Sequence, residues 1–306
     1  MSILIKSAKI IDASSKYNGK TKDIYIKNGV IHEIADYIEK KSIKEINFNN
    51  LHVSQGWLDT GVSFGEPGLE ERETIENGSL TAGLSGFTDI ILNSNTLPVI
   101  DSKADVIYIK NKNKNNAVDI HPLGGLTIRS EGNEMAELRE MYDSGAVGFY
   151  DYKMSIKNPN LLKTALQYVQ HFNGLILTFP FEKSICIDGQ VNEGEISTLY
   201  GLEGIPSLSE EIRLERDLKI LEYTGGKLFI PTISCSKSVE LIRSAKLQGL
   251  QIITSVSINN LFFNEKKLIN FDTRFKVLPP IRTEKDRLVL VEAVSDGTID
   301  FVTSDH

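Results

Sequence analysis

The feature that most constrains the fold is a regular alternation, after residue 53, of short apolar runs with amphipathic segments. Helical periodicity marks the segments between these runs, for example residues 160–172, 209–226 and 284–297. Such alternation indicates parallel strands joined by helical crossovers. Eight units in about 250 residues predict a (β/α)8 barrel of the α/β class over residues 53–306, with a doubly wound sheet as the alternative. The eight runs are His52–Asp59, Phe87–Leu92, Ala117–Leu123, Ala146–Tyr150, Leu175–Phe179, Lys227–Ile233, Leu250–Val256 and Asp300–Ser304.

The first part of the chain, residues 1–52, has a different pattern. Residues 3–11 and 23–35 are rich in β-branched side chains and partly alternate between apolar and polar. Asn28-Gly29 lies between two apolar runs, which is a strong signal for a two-residue hairpin. The segment therefore predicts a small antiparallel sheet that is too short to bury a core by itself.

Composition excludes several classes of protein. No apolar run approaches the roughly 20 residues that a membrane span requires, and the N-terminus has no signal-peptide pattern. The two cysteines, Cys186 and Cys235, form no C-x-x-C motif, and the net charge of -7 disfavours a nucleic-acid ligand. We therefore expect a cytoplasmic globular protein that binds neither membranes nor nucleic acids.

Five sequence blocks, in order along the chain, carry a family resemblance. The chain is similar in these blocks to the dihydroorotase family of the amidohydrolase superfamily. The resemblance implies an amidohydrolase-type barrel beside a small β-sandwich, of which residues 1–52 supply one part. Because the chain stops directly after the eighth predicted strand, we expect its C-terminal part, with the remaining sandwich strands, to be missing. The blocks are GWLDTGVSFGEPGLEERETIENGSLTAGLSGFTDI, SNTLPVID, VNEGEISTLYGLEGIPSLSEEIRLERDL, FKVLPPIRTEKDR and DGTIDFVTSDH.

The resemblance also implies a chemistry, the reversible cyclisation of N-carbamoyl-aspartate to dihydroorotate in pyrimidine synthesis. Members of the family use a zinc centre that activates water and polarises the ring carbonyl. Its ligands are an H-x-H pair on strand 1, an acidic group on strand 4, one histidine each on strands 5 and 6, and an aspartate on strand 8 that is also the general base. Asp151 and Asp305 match the strand-4 and strand-8 positions, and Asn95 matches a substrate-binding asparagine.

The remaining family positions have lost their functional side chains. The four histidine positions fall on Gly61, Ser63, Phe179 and Thr232. A substrate-binding arginine position falls on Gly65, and a second asparagine position falls on Leu278. Zinc needs about four nitrogen, sulfur or carboxylate ligands, and two carboxylates alone suit at best a weakly held hard cation. We therefore expect no zinc, no other cofactor and no catalysis, with Asp305 retained in position only.

Several polar residues have a structural interpretation beside the functional one. Asp151 and Asp305 either face each other across an empty centre, where they would recruit water, Lys153 or a cation, or act as strand-end carboxylates that cap loops. Asp59 is favoured as a structural hydrogen-bond acceptor. His121 matches no family ligand, and Cys235 is favoured as an inert buried thiol.

Three functions remain open at this point. Inactive dihydroorotase-like chains are structural partners of aspartate transcarbamoylase in this family, and we favour this role, with a homodimer as the expected assembly. The alternative is an active dihydroorotase with a metal centre rebuilt around Asp151 and Asp305. A third interpretation is a small-molecule binding module that uses the vacated pocket, lined by Asn95, Thr232, Asn259 and the two aspartates.

Overall fold

A computed structural model of the chain describes residues 2–41, 43–114, 116–186 and 188–306. The chain divides into two compact units, Met1–Trp57 and Leu58–His306. Met1 and Ser42, which belong to the sheet predicted for residues 1–52, lie outside the described residues.

The first unit contains a five-stranded mixed sheet in the order β3-β2-β1-β4, with β5 also paired to β1. Asn28 and Gly29 both have positive φ (53° and 78°) and join β2 to β3, which confirms the predicted hairpin. The prediction of a purely antiparallel sheet is wrong, because the chain after β3 adds β4 and β5 in parallel to the free edge of β1. The strands are β1 Ser2–Ile11, β2 Thr21–Lys27, β3 Val30–Ala35, β4 Lys44–Ile46 and β5 His52–Ser54.

The second unit is built from parallel strands and α-helices, as the alternating pattern predicts. Its strands are β6 Trp57–Val62, β7 Phe87–Leu92, β8 Asp119–Pro122, β9 Ile176–Leu177, β10 Val191–Asn192, β11 Gly204–Ile205, β12 Leu228–Ile230, β13 Ile252–Ser257 and β14 Phe301–Thr303. Its helices are α1 Ile75–Leu84, α2 Lys103–Lys112, α3 Leu138–Asp143, α4 Pro159–Val169, α5 Glu195–Tyr200, α6 Ser207–Thr224, α7 Ser236–Leu247, α8 Ile258–Phe262 and α9 Glu284–Ser295. Five short 3-10 helices complete the assigned helical segments: Ile128–Ser130, Gln170–Phe172, Lys183–Ile185, Glu265–Asn270 and Thr273–Phe275.

The main strands form two sheets, β6-β7-β8 and β14-β13-β12-β9, and a separate small sheet pairs β10 with β11. The pairs β7–β8, β9–β12, β12–β13 and β13–β14 are parallel. The predicted fourth strand, Ala146–Tyr150, does not form a regular strand. It makes only isolated parallel bridges, from Phe149 to Gly124 and from Phe149 to Ile176, among the described residues. A Cβ on Gly148 would lie 2.9 Å from the Leu177 side chain, so the segment packs closely on β9 at this position.

The helices pack their apolar faces on one continuous core. In α4 the residues at helical spacing, Leu162, Ala165, Leu166 and Val169, are fully buried in that core. Helices α4, α6, α7 and α9 confirm the helical segments predicted from periodicity. Among the described residues, none of the helices combines the length and the apolar content needed to cross a bilayer.

Asp59 on β6 links the first strand of this unit to the last. Its carboxylate accepts a hydrogen bond from the Thr303 hydroxyl, one from the Ser304 amide at 3.1 Å and one from the Gly61 amide at 3.1 Å. The Ser63 amide adds a backbone hydrogen bond to the carbonyl of His306 at 2.9 Å. The structure thus assigns Asp59 the structural role that the sequence favours.

Removing this carboxylate is expected to destabilise the second unit. In Asp59→Ala, the free energy of unfolding should fall by about 2–4 kcal/mol, because one buried and two partly buried donors lose their acceptor. Chemical denaturation with a fluorescence or circular-dichroism readout measures this change. The matched control is Asp119→Ala, an exposed aspartate on β8, which should change stability by less than about 0.5 kcal/mol. Equal effects of the two substitutions would contradict the structural role of Asp59.

Candidate functional site

Three of the predicted site residues, Gly61, Thr232 and Asp305, meet around a very small cavity. Thr60 and Gly61 of β6, Lys153, Thr232 and Asp305 are among the residues that line it. Its interior volume of about 10 Å³ holds one water molecule at most. A ring the size of dihydroorotate therefore has no room in this cavity as the side chains stand.

An ion pair closes this cavity. The Lys153 ammonium lies 2.9 Å from Oδ2 of Asp305, and both side chains are largely buried, with 20% and 9% exposed. The Lys153 backbone amide donates to the hydroxyl of Tyr150 at 3.1 Å, and its ammonium lies 5.3 Å from the centre of the Tyr152 ring. Lys153 thus supplies the cation for Asp305, which is one of the three partners considered from the sequence.

The environment of Asp305 disfavours its charged form despite this pair. Burial raises the pKa of the Asp305 carboxyl, the Lys153 ammonium opposes this, and the nearby Asp59 carboxylate adds to it. Asp305 and Lys153 both have left-handed backbone conformations, with φ of 57° and 53°. Left-handed residues other than glycine persist only where the surrounding structure holds them, so these two positions are tightly determined.

Asp151, the second remnant position, has separate partners. One carboxylate oxygen accepts from the Thr127 amide at 2.9 Å and the other from the Thr127 hydroxyl. Burial raises the pKa of the Asp151 carboxyl, and the hydrogen bonds from Thr127 oppose this effect. Of the two alternatives for the aspartates, the structure favours loop capping for Asp151 and an ion pair with Lys153 for Asp305.

The former ligand positions offer little to a metal ion. Gly61 has no side chain, and a Cβ there would lie 3.3 Å from the Thr303 hydroxyl oxygen. The Ser63 hydroxyl already accepts a hydrogen bond from the Asn93 side chain at 3.1 Å. Thr232 has φ of 50°, and its buried hydroxyl has no hydrogen-bond partner in the described part of the chain.

Two lost polar positions have become part of an apolar cluster. Phe179, at the strand-5 histidine position, is 2% exposed and packs with Tyr150, Leu177 and Phe229. Leu278, at the second asparagine position, packs against the same cluster. Apolar side chains therefore occupy the place where the family resemblance implies a metal ligand and a substrate-binding amide.

The positions implied for substrate binding have also changed. Gly65 has φ of 105°, and a Cβ there would lie 2.5 Å from the Leu69 carbonyl oxygen, so an arginine cannot be restored without moving the backbone. Among the described residues the cavity is lined by Asn93, whereas Asn95 lies half-buried outside that lining. Asn93 was missed from the sequence because the family motif draws attention to the residue two positions later.

The other candidate residues are held in structural contacts. The His121 ring lies 2.8 Å from the carboxylate of Asp89 on the neighbouring strand, and both side chains are partly exposed. Burial and the nearby Glu210 carboxylate raise the pKa of the Cys235 thiol, so it stays protonated and inert. Within residues 2–41, 43–114, 116–186 and 188–306, no three histidine, cysteine or acidic side chains converge as a metal site would require. The donors present do not fit the zinc centre of the family.

The Lys153–Asp305 pair predicts a specific pH dependence. The folded-state pKa of Asp305 lies above its ordinary value of 3.8, so its contribution to stability is full below that value and is lost as pH rises through the folded pKa. Lys153→Met removes the opposing cation and raises the folded pKa of Asp305 further. The free energy of unfolding should then fall by about 1–3 kcal/mol at pH 7 and by less at pH 4.

Denaturation at both pH values tests this expectation. The control is the same lysine substitution without the carboxyl: the stability difference between Asp305→Asn and Lys153→Met/Asp305→Asn should be the same at pH 4 and pH 7. A loss in Lys153→Met that does not change with pH would contradict the buried ion pair.

Comparison with known proteins places the chain in a family. The sequence profile of the family described as Dihydro-orotase-like matches residues 52–238. The chain is 34% identical over 308 residues to the dihydroorotase of Pelotomaculum thermopropionicum, covering 100% of this chain and 71% of that protein. It is 36% identical over 305 residues to the dihydroorotase of Acetivibrio thermocellus, covering 99% of this chain and 71% of that protein.

Solved structures of related enzymes share the fold. The L-hydantoinase (dihydropyrimidinase) from Arthrobacter aurescens superposes with a TM-score of 0.81 at 21% identity, covering 99% of this chain and 69% of that one. The D-hydantoinase (dihydropyrimidinase) from Thermus sp. gives a TM-score of 0.77 at 21% identity, with the same coverage. At such identity the likeness concerns the fold alone, whereas the profile and the sequence relatives identify the family. The chain belongs to the dihydroorotase family of the amidohydrolase superfamily.

Proposed function

We propose that this chain is a non-catalytic member of its family, with a structural role in pyrimidine biosynthesis. The observation that carries the proposal is the Lys153–Asp305 ion pair, in a cavity that holds one water molecule at most. The names of the sequence relatives support the pathway. A cytoplasmic location is part of the same proposal.

The architecture proposed with this function is a closed (β/α)8 barrel. Its support is a nearly continuous series of neighbouring strands. The sheet β6-β7-β8 is followed by a bridge from Gly124 to Phe149 and one from Phe149 to Ile176 of β9, and β9 belongs to the sheet that ends at β14. The hydrogen bonds of Asp59 to Thr303 and Ser304 return the series to β6. We also propose that the N-terminal sheet is one part of a β-sandwich.

The chemistry of the site supports a loss of hydrolysis. Opening the ring amide needs an activated water, stabilisation of charge on the carbonyl oxygen and a group that holds the substrate carboxylate. Asp305, at the position of the base, is engaged by an ammonium group. Gly61 and Phe179 offer no donor atom for a metal, and Gly65 offers no guanidinium for a carboxylate.

A direct assay decides between this proposal and an active enzyme with a rebuilt centre. After purification in zinc-containing buffer, elemental analysis should find well below one zinc per chain, because the donor set is incomplete. Dihydroorotate hydrolysis and carbamoyl-aspartate cyclisation should both stay at the level of the uncatalysed reaction. The dihydroorotase of Acetivibrio thermocellus, assayed in parallel, is the positive control. Stoichiometric zinc together with turnover would establish the active alternative.

The partner that we propose is aspartate transcarbamoylase, with a homodimer of this chain as the expected unit of the complex. The support is the role of inactive dihydroorotase-like chains in the family that the sequence resembles. Mixed at about 10 μM, this chain and the aspartate transcarbamoylase of the same organism should elute together in size-exclusion chromatography, with a mass that light scattering assigns to both. Albumin at the same concentration is the negative control. Separate elution at their individual masses would contradict the partnership.

A further inference from the structure

A second cavity, much larger than the first, lies beside the closed centre. Its volume is about 1170 Å³, slightly above the roughly 300–1,000 Å³ that small-molecule sites usually enclose. The described lining comes from the segments 153–159, 181–186, 189–190 and 276–278, from Ile205 of β11 and from one face of α6. Unlike the closed centre, it has room for an organic ligand of several hundred daltons.

The lining is strongly cationic in a chain whose net charge is -7. Among the described lining residues, six are lysine or arginine and one, Glu182, is acidic. Ion pairs account for half of these cations, since Lys153 pairs with Asp305, Arg213 with Glu182 and Arg216 with Asp217. The ammonium groups of Lys157, Lys183 and Lys276 have no carboxylate partner in the described part of the chain.

Arg213 provides a buried donor in the wall of this cavity. The residue is 4% exposed, and two of its guanidinium nitrogens are satisfied by the Ile156 carbonyl and Glu182. Its Nε is buried and has no hydrogen-bond partner among the described residues. Burial and the neighbouring Arg216 lower the pKa of Arg213, and the Glu182 and Asp217 carboxylates oppose this effect.

The rest of the lining is apolar. Phe181, Ile205, Ile212, Val277 and Leu278 contribute hydrocarbon surface to the same cavity. An inorganic anion would satisfy the cations and leave this surface in contact with water. A ligand that matches both parts of the lining carries an anionic group joined to an apolar ring or chain.

We propose that this cavity binds an organic phosphate of the nucleotide type, with its phosphates toward the lysines and its ring against the apolar wall. Phosphate oxygens accept several hydrogen bonds and carry more than one charge, which suits a set of unpaired ammonium groups beside an arginine. The cavity adjoins the closed centre and shares Lys153 with it, and the proposal stands whether or not the chain is catalytic.

ATP, with EDTA present to remove divalent cations, is the probe. Isothermal titration calorimetry should detect binding to the full chain with a dissociation constant below about 1 mM, and thermal unfolding should shift to higher temperature. Lys157→Glu and Lys276→Glu should each weaken binding by about fivefold or more, because each replaces an attraction with a repulsion. Pyrophosphate and adenosine, tested separately, should each bind at least about tenfold more weakly than ATP.

Lys103→Glu is the matched control, an exposed lysine on α2 with the same change in charge, and it should alter ATP binding by less than about twofold. Circular dichroism confirms that each variant is folded. Absence of ATP binding at 1 mM, or equal weakening by Lys103→Glu, would overturn the proposal. So would pyrophosphate binding as tight as that of ATP, or a hexaglutamate peptide binding more tightly than ATP.

Discussion

A buried carboxylate needs hydrogen-bond donors or a cation, and the state of this site follows from which partner Asp305 has. Here the partner is the ammonium of Lys153, delivered by the segment that follows Phe149 and fixed by a left-handed backbone at both residues. An ion taken out of water loses several kcal/mol of hydration, so a partner supplied by the chain itself is retained once it is in place. A metal ion would have to displace this ammonium while gaining few other ligands. The ion pair and the missing ligands therefore both disfavour the binding of a metal ion.

The fold survives these substitutions because it depends on different atoms. Strand interiors and helix faces form the core, whereas the side chains that carry chemistry project from strand ends. Phe179 and Leu278 show that an apolar side chain at a family position for a polar residue can join an apolar cluster and add buried surface. Asp59, by contrast, remains buried and fully bonded, since it holds β6 to β14. The chain can therefore keep 34–36% identity to named dihydroorotases while the residues at its strand ends differ from the family pattern.

The sequence predicts local features well and long-range geometry poorly. Periodicity identifies α4 and α6, and Asn28-Gly29 identifies a hairpin, because each is determined by neighbouring residues. The parallel addition of β4 to β1, and the reduction of the fourth strand to bridges at Phe149, depend on packing between distant segments. At the site, motif alignment finds the two aspartates and the lost ligands, and even Lys153 as a candidate partner. It does not reveal the small cavity volume, the hydrogen bonds from the distant Thr127 to Asp151 or the place of Asn93 in the cavity lining, since these follow from side-chain directions.

The two cavities share one residue, and this links their electrostatics. Lys153 lines both, so its ammonium lies between the Asp305 carboxylate and the cationic wall that includes Lys157 and Arg213. Repulsion from that wall favours the pairing of Lys153 with Asp305 while the large cavity contains only water. A phosphate bound there would compete with Asp305 for the same ammonium, and the pKa of Asp305, already raised by burial, would rise further. Binding of the proposed phosphate would thus couple occupancy of the larger cavity to the charge state of Asp305 through a single side chain.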